Sequence, residues 1–463
     1  MRWRRWPAPR WCWTGAPATR PSCSPRWPAG CLPSSPPKPW TTWWIVAMRP
    51  DPRPQLLVDL SVLVQTDDKS GIQRVVRNVL AALLKSPPAG CVVEPVYDAG
   101  GYYAYAHGFG ARGGAAAAPL RGDTDSAPLT ADDTEPPQPV VLRADDIFLG
   151  LDLAPNHVPG NRALYADMRR HGVLLYFVVY DLLPITQPQM FNPGAAPWFA
   201  NWVRTVAETA DGLVCISRAV ADELLDWIGE NDVRRPTPLP VGWFHLGADI
   251  PAGGSDVGVA DTAPADEALL AHVRARPSLL MVGTLEPRKM HSQALDAFEQ
   301  LWRRGIDANF VIVGKTGWMT ERLAERLRQH PEAGKRLFWL PRADDATLLQ
   351  LYACSSALLA ASAGEGFGLP LIEAAHHGLP VIARDLPVFR EVAGDHAWYF
   401  EAGNGTQLAD ALACWLELHA AGQAPRSGAM PWLDWNGSAA ALLRVLLDGA
   451  WYRTAPTLLS APQ

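Results

Sequence analysis

The 463-residue chain contains no run of 18 or more apolar residues, so no transmembrane helix is predicted. It is also not short of apolar side chains. Hydrophobic residues make up 48% of the chain and charged residues only 19%, a balance typical of folded proteins rather than disordered ones. A chain of this length is too long for one ordinary core and is predicted to form two domains.

Cysteine is scarce, and none of the seven cysteines forms the C-x2-C pair typical of zinc ribbons. Cys215 and Cys354 lie in or beside apolar stretches and are predicted to be small buried side chains. Disulfides are therefore not expected, and a reducing compartment fits best. We predict a cytoplasmic protein, with a place at the inner face of the cell membrane left open.

The first 50 residues lack acidic side chains and carry eight Lys or Arg, together with eight of the 20 tryptophans. They show neither helical nor strand periodicity. Two interpretations stay open: a disordered basic tail, or a mis-assigned extension upstream of a true start at Met48. The remaining residues hold 33 basic and 47 acidic side chains, which argues against a broad nucleic-acid surface. No nucleic-acid partner is expected.

Apolar strands and amphipathic helices alternate in both halves of the chain, a pattern that predicts an α/β fold with two doubly wound parallel sheets. Two Gly-, Ala- and acid-rich stretches with few apolar residues interrupt the pattern. The predicted organisation, in chain order, is an extension (1–50), an N-terminal Rossmann-like domain (51–246) with a flexible insertion (108–140), a linker (247–272), a C-terminal Rossmann-like domain (273–425) and a C-terminal helical segment (426–463).

The strongest motif runs from Gly364 to Ala375 and contains Glu365 and Glu373 with seven residues between them. Its three glycines allow a ligand to approach the backbone closely. Pro370 is expected at the first position of a new helix, whose N-terminus would suit a phosphate. The two carboxylates can each accept hydroxyl donors from a sugar or a ribose. The alternative is that Glu373 merely stabilises the start of its helix.

A second motif, from Gly283 to Lys289, follows a predicted strand and precedes a predicted helix. It therefore lies at the carboxyl end of a strand, where open α/β sheets bind ligands. Arg288 can neutralise a diphosphate with its bidentate fork and Lys289 can do so as a compact charge. The alternative is that both are solvated loop charges.

These segments, with the strand that ends in Val313–Trp318 between them, resemble the retaining glycosyltransferases of family four, which have the GT-B architecture. The resemblance covers most of residues 56–455 and is strongest over 279–400. The whole is most similar to bacterial mannosyltransferases that build O-antigen and other surface polysaccharides. In the N-terminal half it rests on three short segments: Ser70–Arg74, Tyr180–Pro184 and Cys215–Arg218.

The resemblance implies roles for individual residues. Lys289 and Arg288 would hold the donor diphosphate, Glu365 would contact the donor sugar, and Glu373 would bind the ribose. The remaining residues implied in donor binding are Gly71, Gly283, Thr284, Gly314, Lys315, Arg342, Gly366, Phe367, Gly368 and Leu369.

Two positions depart from the pattern of the family. Many relatives have Asn where this chain has Met290, and many have His where it has Tyr180. The second departure leaves the catalytic, acceptor-side role of Asp181 open, with a simple turn residue as the alternative.

The resemblance further implies transfer with retention, with no carboxylate nucleophile assignable. The donor is expected to be a nucleotide sugar, with GDP-mannose favoured, and the acceptor a lipid-linked or oligosaccharide glycan. No cofactor and no metal site are expected, since the Asp123-Thr124-Asp125 triplet lies in the predicted insertion. Peripheral membrane contact stays open. The alternatives are a sugar-nucleotide epimerase and a non-catalytic sugar-nucleotide-binding scaffold.

The family resemblance also implies that the C-terminal segment crosses back toward the first domain. Its apolar contact would come from Trp432, Trp435, Leu442 and Leu443.

Overall fold

The computed structural model describes residues 51–66, 70–107, 137–248 and 267–459. The predicted N-terminal extension, most of the predicted insertion with its Asp123-Thr124-Asp125 triplet, and most of the predicted linker lie outside these ranges. Two large sheets with flanking helices account for the described residues, which confirms the predicted α/β class with two parallel-dominated sheets.

The first sheet takes all its strands but β15 from the N-terminal half and has the strand order β15-β8-β6-β5-β4-β1-β2-β3, with β15 supplied by the C-terminal segment. All neighbouring strands are parallel except the two edge strands, β3 and β15. The continuous burial of β1, β4 and β6 explains their unbroken apolar sequences. The strands are β1 (Gln55–Asp59), β2 (Val92–Asp98), β3 (Tyr103–Tyr105), β4 (Ile147–Gly150), β5 (Leu174–Val179), β6 (Gly212–Cys215), β8 (Leu239–Trp243) and β15 (Arg453–Ala455).

Helices flank this sheet, and the best defined of them begins with a reciprocal capping box. The Ser70 hydroxyl accepts from the Gln73 N–H, and the Gln73 side chain accepts from the Ser70 N–H, which fixes the first turn. The helices are α1 (Ser61–Gln65), α2 (Gly71–Lys85), α3 (Arg162–Arg170), α4 (Leu183–Thr186), α5 (Ala195–Thr209) and α6 (Arg218–Glu230).

The second sheet is entirely parallel and has the order β11-β10-β9-β12-β13-β14. The chain starts at β9, moves outward in one direction, and returns to β12 before moving out in the other. The junction between β9 and β12 is therefore the switch point at which open α/β sheets bind ligands. The strands are β9 (Ser278–Val282), β10 (Asn309–Val313), β11 (Leu337–Leu340), β12 (Ala357–Ala360), β13 (Val381–Arg384) and β14 (Trp398–Phe400).

The helices around this second sheet and beyond it are α7 (Glu267–Ala275), α8 (His291–Arg303), α9 (Glu321–Gln329), α10 (Asp345–Cys354), α11 (Leu369–His376), α12 (Pro387–Ala393), α13 (Gly405–Ala420) and α14 (Trp435–Leu447). Helix α7 begins inside the segment that was predicted as a linker (247–272). It buries Leu270 and Val273 against the core, which stabilises a helix at this position.

Helix α11 begins one residue earlier than expected. Gly368 caps it in the left-handed conformation (φ 96°), and Leu369 is the first helical residue. Pro370 is therefore second rather than first, and Glu373 lies in the second turn, where stabilising the helix N-terminus is no longer its main role. The prediction of Pro370 at the first position is wrong by one residue.

The C-terminal segment returns to the first sheet. Helix α14 packs against α2, and β15 pairs antiparallel with β8. Trp451 lies against Gly212 and Gly242, where an added Cβ would approach its ring to 2.5 and 3.2 Å. Trp435 and Leu442 are buried as expected of an apolar contact, whereas Trp432 is 39% exposed. A further short pair, β7 (Arg234–Arg235) with β16 (Leu458–Leu459), completes the return.

Within the ranges that the structure describes, no helix combines the length and apolar character needed to cross a membrane.

Candidate active site

Two loops meet at the switch point of the second sheet. The loop after β9 carries Glu286, Arg288 and Lys289, and the loop after β12 carries Ser362 and Glu365. Because β9 and β12 are parallel neighbours, their carboxyl ends lie at the same edge and bring the two predicted motifs together.

Glu365 is the centre of this cluster. Its Oε1 accepts from Lys289 Nζ at 2.5 Å and from the Ser362 hydroxyl at 2.6 Å, and its Oε2 accepts from Arg288 Nη1 at 2.9 Å. Arg288 Nε lies 2.9 Å from Glu286 Oε2, which adds a second carboxylate to the same guanidinium. The four charged side chains are each less than a fifth exposed. They form a compact group with two cations and two anions.

Electrostatics keeps Glu365 and Arg288 ionised. Burial raises the pKa of Glu365, but the charges of Lys289 and Arg288 outweigh it and lower the pKa to about 2. Burial lowers the pKa of Arg288, and the Glu365 and Glu286 carboxylates raise it further than burial lowers it. Fixed cations at the end of a parallel sheet can stabilise an anionic diphosphate or the negative charge that develops on it.

Glycines allow the loops to approach one another. A Cβ on Gly314 would lie 1.9 Å from the Gly283 carbonyl oxygen, so only glycine lets the ends of β9 and β10 touch. A Cβ on Gly366 would lie 2.1 Å from the Tyr180 carbonyl oxygen, which ties the Glu365 loop to the N-terminal half. These predicted donor-site glycines are therefore required at least by packing.

Asp181 of the N-terminal half lies beside the same cluster. Burial raises the pKa of this carboxyl, while the positive charges of Arg288 and Lys289 oppose the increase. Its Oδ1 also accepts from the Leu183 N–H at 3.1 Å, at the start of α4. The structure thus shows both the expected proximity to the site and the alternative role in a turn.

Glu373, the second carboxylate of the motif, lies away from Lys289 and has its own partners. Its Oε2 accepts from the Tyr352 hydroxyl at 2.6 Å, and its Oε1 accepts from Arg74, a residue of α2 in the N-terminal half. Its side chain is only 8% exposed. Neither Tyr352 nor Arg74 was assigned a role from the sequence.

Further bonds join the N-terminal half to the Glu365 loop. The Ser217 hydroxyl donates to the Gly366 carbonyl at 2.8 Å, and Gln187 Nε2 donates to the Ala363 carbonyl at 3.0 Å. The His245 ring packs edge-on against Phe367 at 5.4 Å between centroids. Glu391 of α12 accepts from the first N–H groups of α6, those of Arg218 and Ala219.

The other predicted donor-site residues differ in their exposure. Lys315 and Arg342 are exposed, after β10 and β11 respectively, and Thr284 is half-buried after β9. Gly71 is the first residue of α2, and a Cβ added there would have open space around it. Neither Glu286 nor Ser362 was identified as a site residue from the sequence. Glu286 lies inside the Gly283–Lys289 motif, and Ser362 precedes Glu365 by only three positions.

A small cavity of about 20 Å³ lies behind the cluster and is lined by Lys289, His291, Ser362 and Glu365 among others. His291 is buried, and neither ring nitrogen has a hydrogen-bond partner among the described residues. Burial, together with the charge of Lys289, lowers its pKa to about 3, so the ring is neutral. A cavity of this size has room for one water. Over the described ranges, no group of three or more His, Cys, Asp and Glu side chains is placed to hold a metal ion.

The chain is similar to known glycosyltransferases, and the family match includes both loops of the site. Residues 267–426, which contain both loops, match the family described as glycosyl transferases group 1. The chain is 45% identical over 395 residues to the serotype-specific mannosyltransferase WbdA of Escherichia coli, covering 85% of this chain and 45% of that protein. It is 31% identical over 291 residues to the phosphatidyl-myo-inositol mannosyltransferase of Mycobacterium leprae, covering 58% of this chain and 73% of that protein.

This chain therefore spans about half the length of the WbdA proteins that it matches. Among solved structures, HepE of Anabaena in complex with UDP and glucose aligns with a TM-score of 0.48 and 15% identity, over 85% of this chain and 95% of that one.

Proposed function

The chain belongs to the group 1 glycosyl transferases, and from this premise we propose that it transfers mannose from GDP-mannose to a hydroxyl of a growing surface glycan, with retention of anomeric configuration. The single observation that carries the proposal is the cluster of Arg288, Lys289 and Glu365 at the switch point of the second sheet. Cations fixed there, beside a carboxylate, suit a sugar diphosphate.

The proposed reaction needs no reagent other than the donor and the acceptor. The bond between the sugar C1 and the diphosphate oxygen breaks, and the acceptor hydroxyl oxygen bonds to C1 from the same face. The acceptor proton passes to the departing diphosphate, which leaves as GDP. Arg288 and Lys289 stabilise the negative charge where it develops, and Glu365 holds both cations in place.

The names of the relatives support the substrates. WbdA is named a serotype-specific mannosyltransferase, and the Mycobacterium leprae relative is named a phosphatidyl-myo-inositol mannosyltransferase. We accordingly propose a lipid-linked glycan acceptor, met at the cytoplasmic face of a membrane. Membership of a transferase family favours transfer over the epimerase alternative, and the paired cations favour it over a scaffold.

The first test is binding of nucleoside diphosphates and their sugars to the full chain, by thermal shift and calorimetry. GDP and GDP-mannose should bind, whereas UDP and ADP sugars should not. Binding of UDP sugars alone would leave the site assignment standing and refute the donor. If no nucleotide bound to the folded protein, the enzymatic proposal would fail.

Transfer itself is tested with GDP-mannose and a lipid-linked glycan. GDP release should be slow without acceptor and rise when acceptor is added. We expect the rate to be unchanged in EDTA, because the charge on the diphosphate is neutralised by Arg288 and Lys289 rather than by a divalent cation. Loss of activity in EDTA that is restored by a divalent cation would contradict the metal-independent mechanism.

A further inference from the structure

Glu373 is joined to the N-terminal half by a direct ion pair with Arg74. This contact joins residues 299 positions apart and occupies one oxygen of the carboxylate that, by the family resemblance, would bind the donor ribose. The Tyr352 hydroxyl donates to the other oxygen. Each oxygen can accept more than one hydrogen bond, but the Glu373 side chain is only 8% exposed with both partners in place. Ribose hydroxyls therefore gain room at Glu373 when one of the two partners moves.

The two partners differ in how easily they can leave. Tyr352 is buried, belongs to the same half as Glu373, and its ring stacks on His377 with 5.5 Å between centroids. Arg74 extends from the opposite half, and its side chain is 40% exposed. An arginine at a partly open surface loses little when water replaces its partner. Arg74 is thus the partner that a ribose displaces.

We propose that Arg74 is a specificity-determining residue that competes with the donor ribose for Glu373. Donor binding then exchanges an ion pair between the two halves for hydrogen bonds to ribose hydroxyls. The rigid start of α2 supports this role, because Gln73 not only completes the capping box but also donates to the Thr66 carbonyl at 2.6 Å. Arg74 is therefore presented to Glu373 from a fixed turn. The inference rests on the proposed function, since it assumes a nucleotide donor.

The test compares GDP with 2′,3′-dideoxy-GDP, which lacks the hydroxyls that would displace Arg74. Dissociation constants are measured by calorimetry for the full chain and for Arg74→Ala, with Arg74→Met as a second variant that keeps the aliphatic stem. The variants should bind GDP about 10-fold more tightly, the scale of one hydrogen bond to a charged group, and dideoxy-GDP almost unchanged. The preference for the ribose over the dideoxyribose should thus grow about 10-fold.

Two controls separate competition from a general loosening of the junction. Ser217→Ala removes another bond between the halves, to the Gly366 carbonyl, and should change both ligands equally. In a Glu373→Gln background the Arg74 substitution should no longer alter the preference, because the competed charge is gone.

Each outcome decides the matter. Equal weakening of GDP and dideoxy-GDP binding by Arg74→Ala would mean that Arg74 contacts the phosphates. Unchanged dissociation constants for both ligands would mean that Arg74 affects neither. Either result overturns the inference and leaves the proposed function standing. If the unaltered chain bound no nucleoside diphosphate, neither GDP nor UDP, the inference would fall together with the proposed function.

Discussion

The two sheets both carry buried carboxylates at their switch points, but the two groups are neutralised in different ways. In the first sheet, Asp59 ends β1 and accepts from the N–H of Ser61 at 3.0 Å and from its hydroxyl. Asp152, after β4, accepts from the N–H groups of Val62 and Leu63. In the second sheet, Glu365 accepts instead from Lys289 and Arg288.

The difference shows in the pKa values. Burial raises the pKa of Asp59 to about 7, since hydrogen bonds to Ser61 only partly oppose it. Burial also acts on Glu365, but two cations reverse the effect and lower its pKa to about 2. The first arrangement organises the start of α1 from within one half. The second presents cations that an anionic ligand can use. If the proposed diphosphate site lies at the second sheet, the charge of the partners, and not position at a switch point alone, distinguishes the two groups.

The largest expected effect concerns the pH dependence at Asp59. A carboxyl with a raised pKa binds more protons in the folded state than in the unfolded state, so its contribution to stability falls as pH rises from about 4 to about 7. A shift from 3.8 to about 7 corresponds to about 4 kcal/mol. The free energy of unfolding of Asp59→Asn, measured by urea denaturation between about pH 4 and pH 7, should not show this decline.

Asp410→Asn provides the matched control, because the Asp410 side chain is 62% exposed and its change should leave the decline in place. Equal slopes in the unaltered protein and Asp59→Asn would refute the assignment. For Glu365 the sign is opposite. Its lowered pKa gives stability that is present above about 4.5 and is lost as pH falls toward about 2.

The next effect concerns catalysis. Lys289→Ala and Glu365→Ala should each lower kcat at least about 100-fold, the usual scale for a lost contact to developing charge. Lys335→Ala, which removes an exposed lysine of the same half, should retain full turnover. Circular dichroism would verify that the variants fold. If Lys289→Ala or Glu365→Ala turned over about as fast as the unaltered enzyme, the proposed role of the altered residue in the reaction would be wrong.

The smallest effect concerns the backbone beside Lys289. Met290 has φ 60°, in the left-handed region that side chains with a Cβ rarely adopt. Asn tolerates that region better than Met, so the departure at Met290 from the expected family pattern carries a cost in backbone strain. Met290→Gly should raise the free energy of unfolding by about 1 kcal/mol, measured by urea denaturation.

Met319 has φ 57° and is 49% exposed, so Met319→Gly tests strain with less loss of packing. A gain at Met319 without one at Met290 would show that lost contacts of Met290 offset the relief of strain. Loss of stability in both variants would contradict the argument from strain.

Local signals predicted much of this fold. The predicted alternation of apolar strands with amphipathic helices is present in both halves, for example in the strand Ile147–Gly150 followed by the helix Arg162–Arg170. The paired loops of the site were also predicted, because each follows a parallel strand. Helix α6 and strand β8 were not predicted, since no local motif set them apart from connecting segments.

The sequence by itself determined the alternation of strands and helices, the two motifs, and their place at strand ends, because periodicity and glycine spacing act over a few residues. Only the tertiary structure decided that Arg74 meets Glu373, that Ser217 meets Gly366, and that β15 returns to β8. These contacts join residues 149 or more positions apart. They depend on how segments far apart in the sequence pack together in space, which no local sequence pattern encodes.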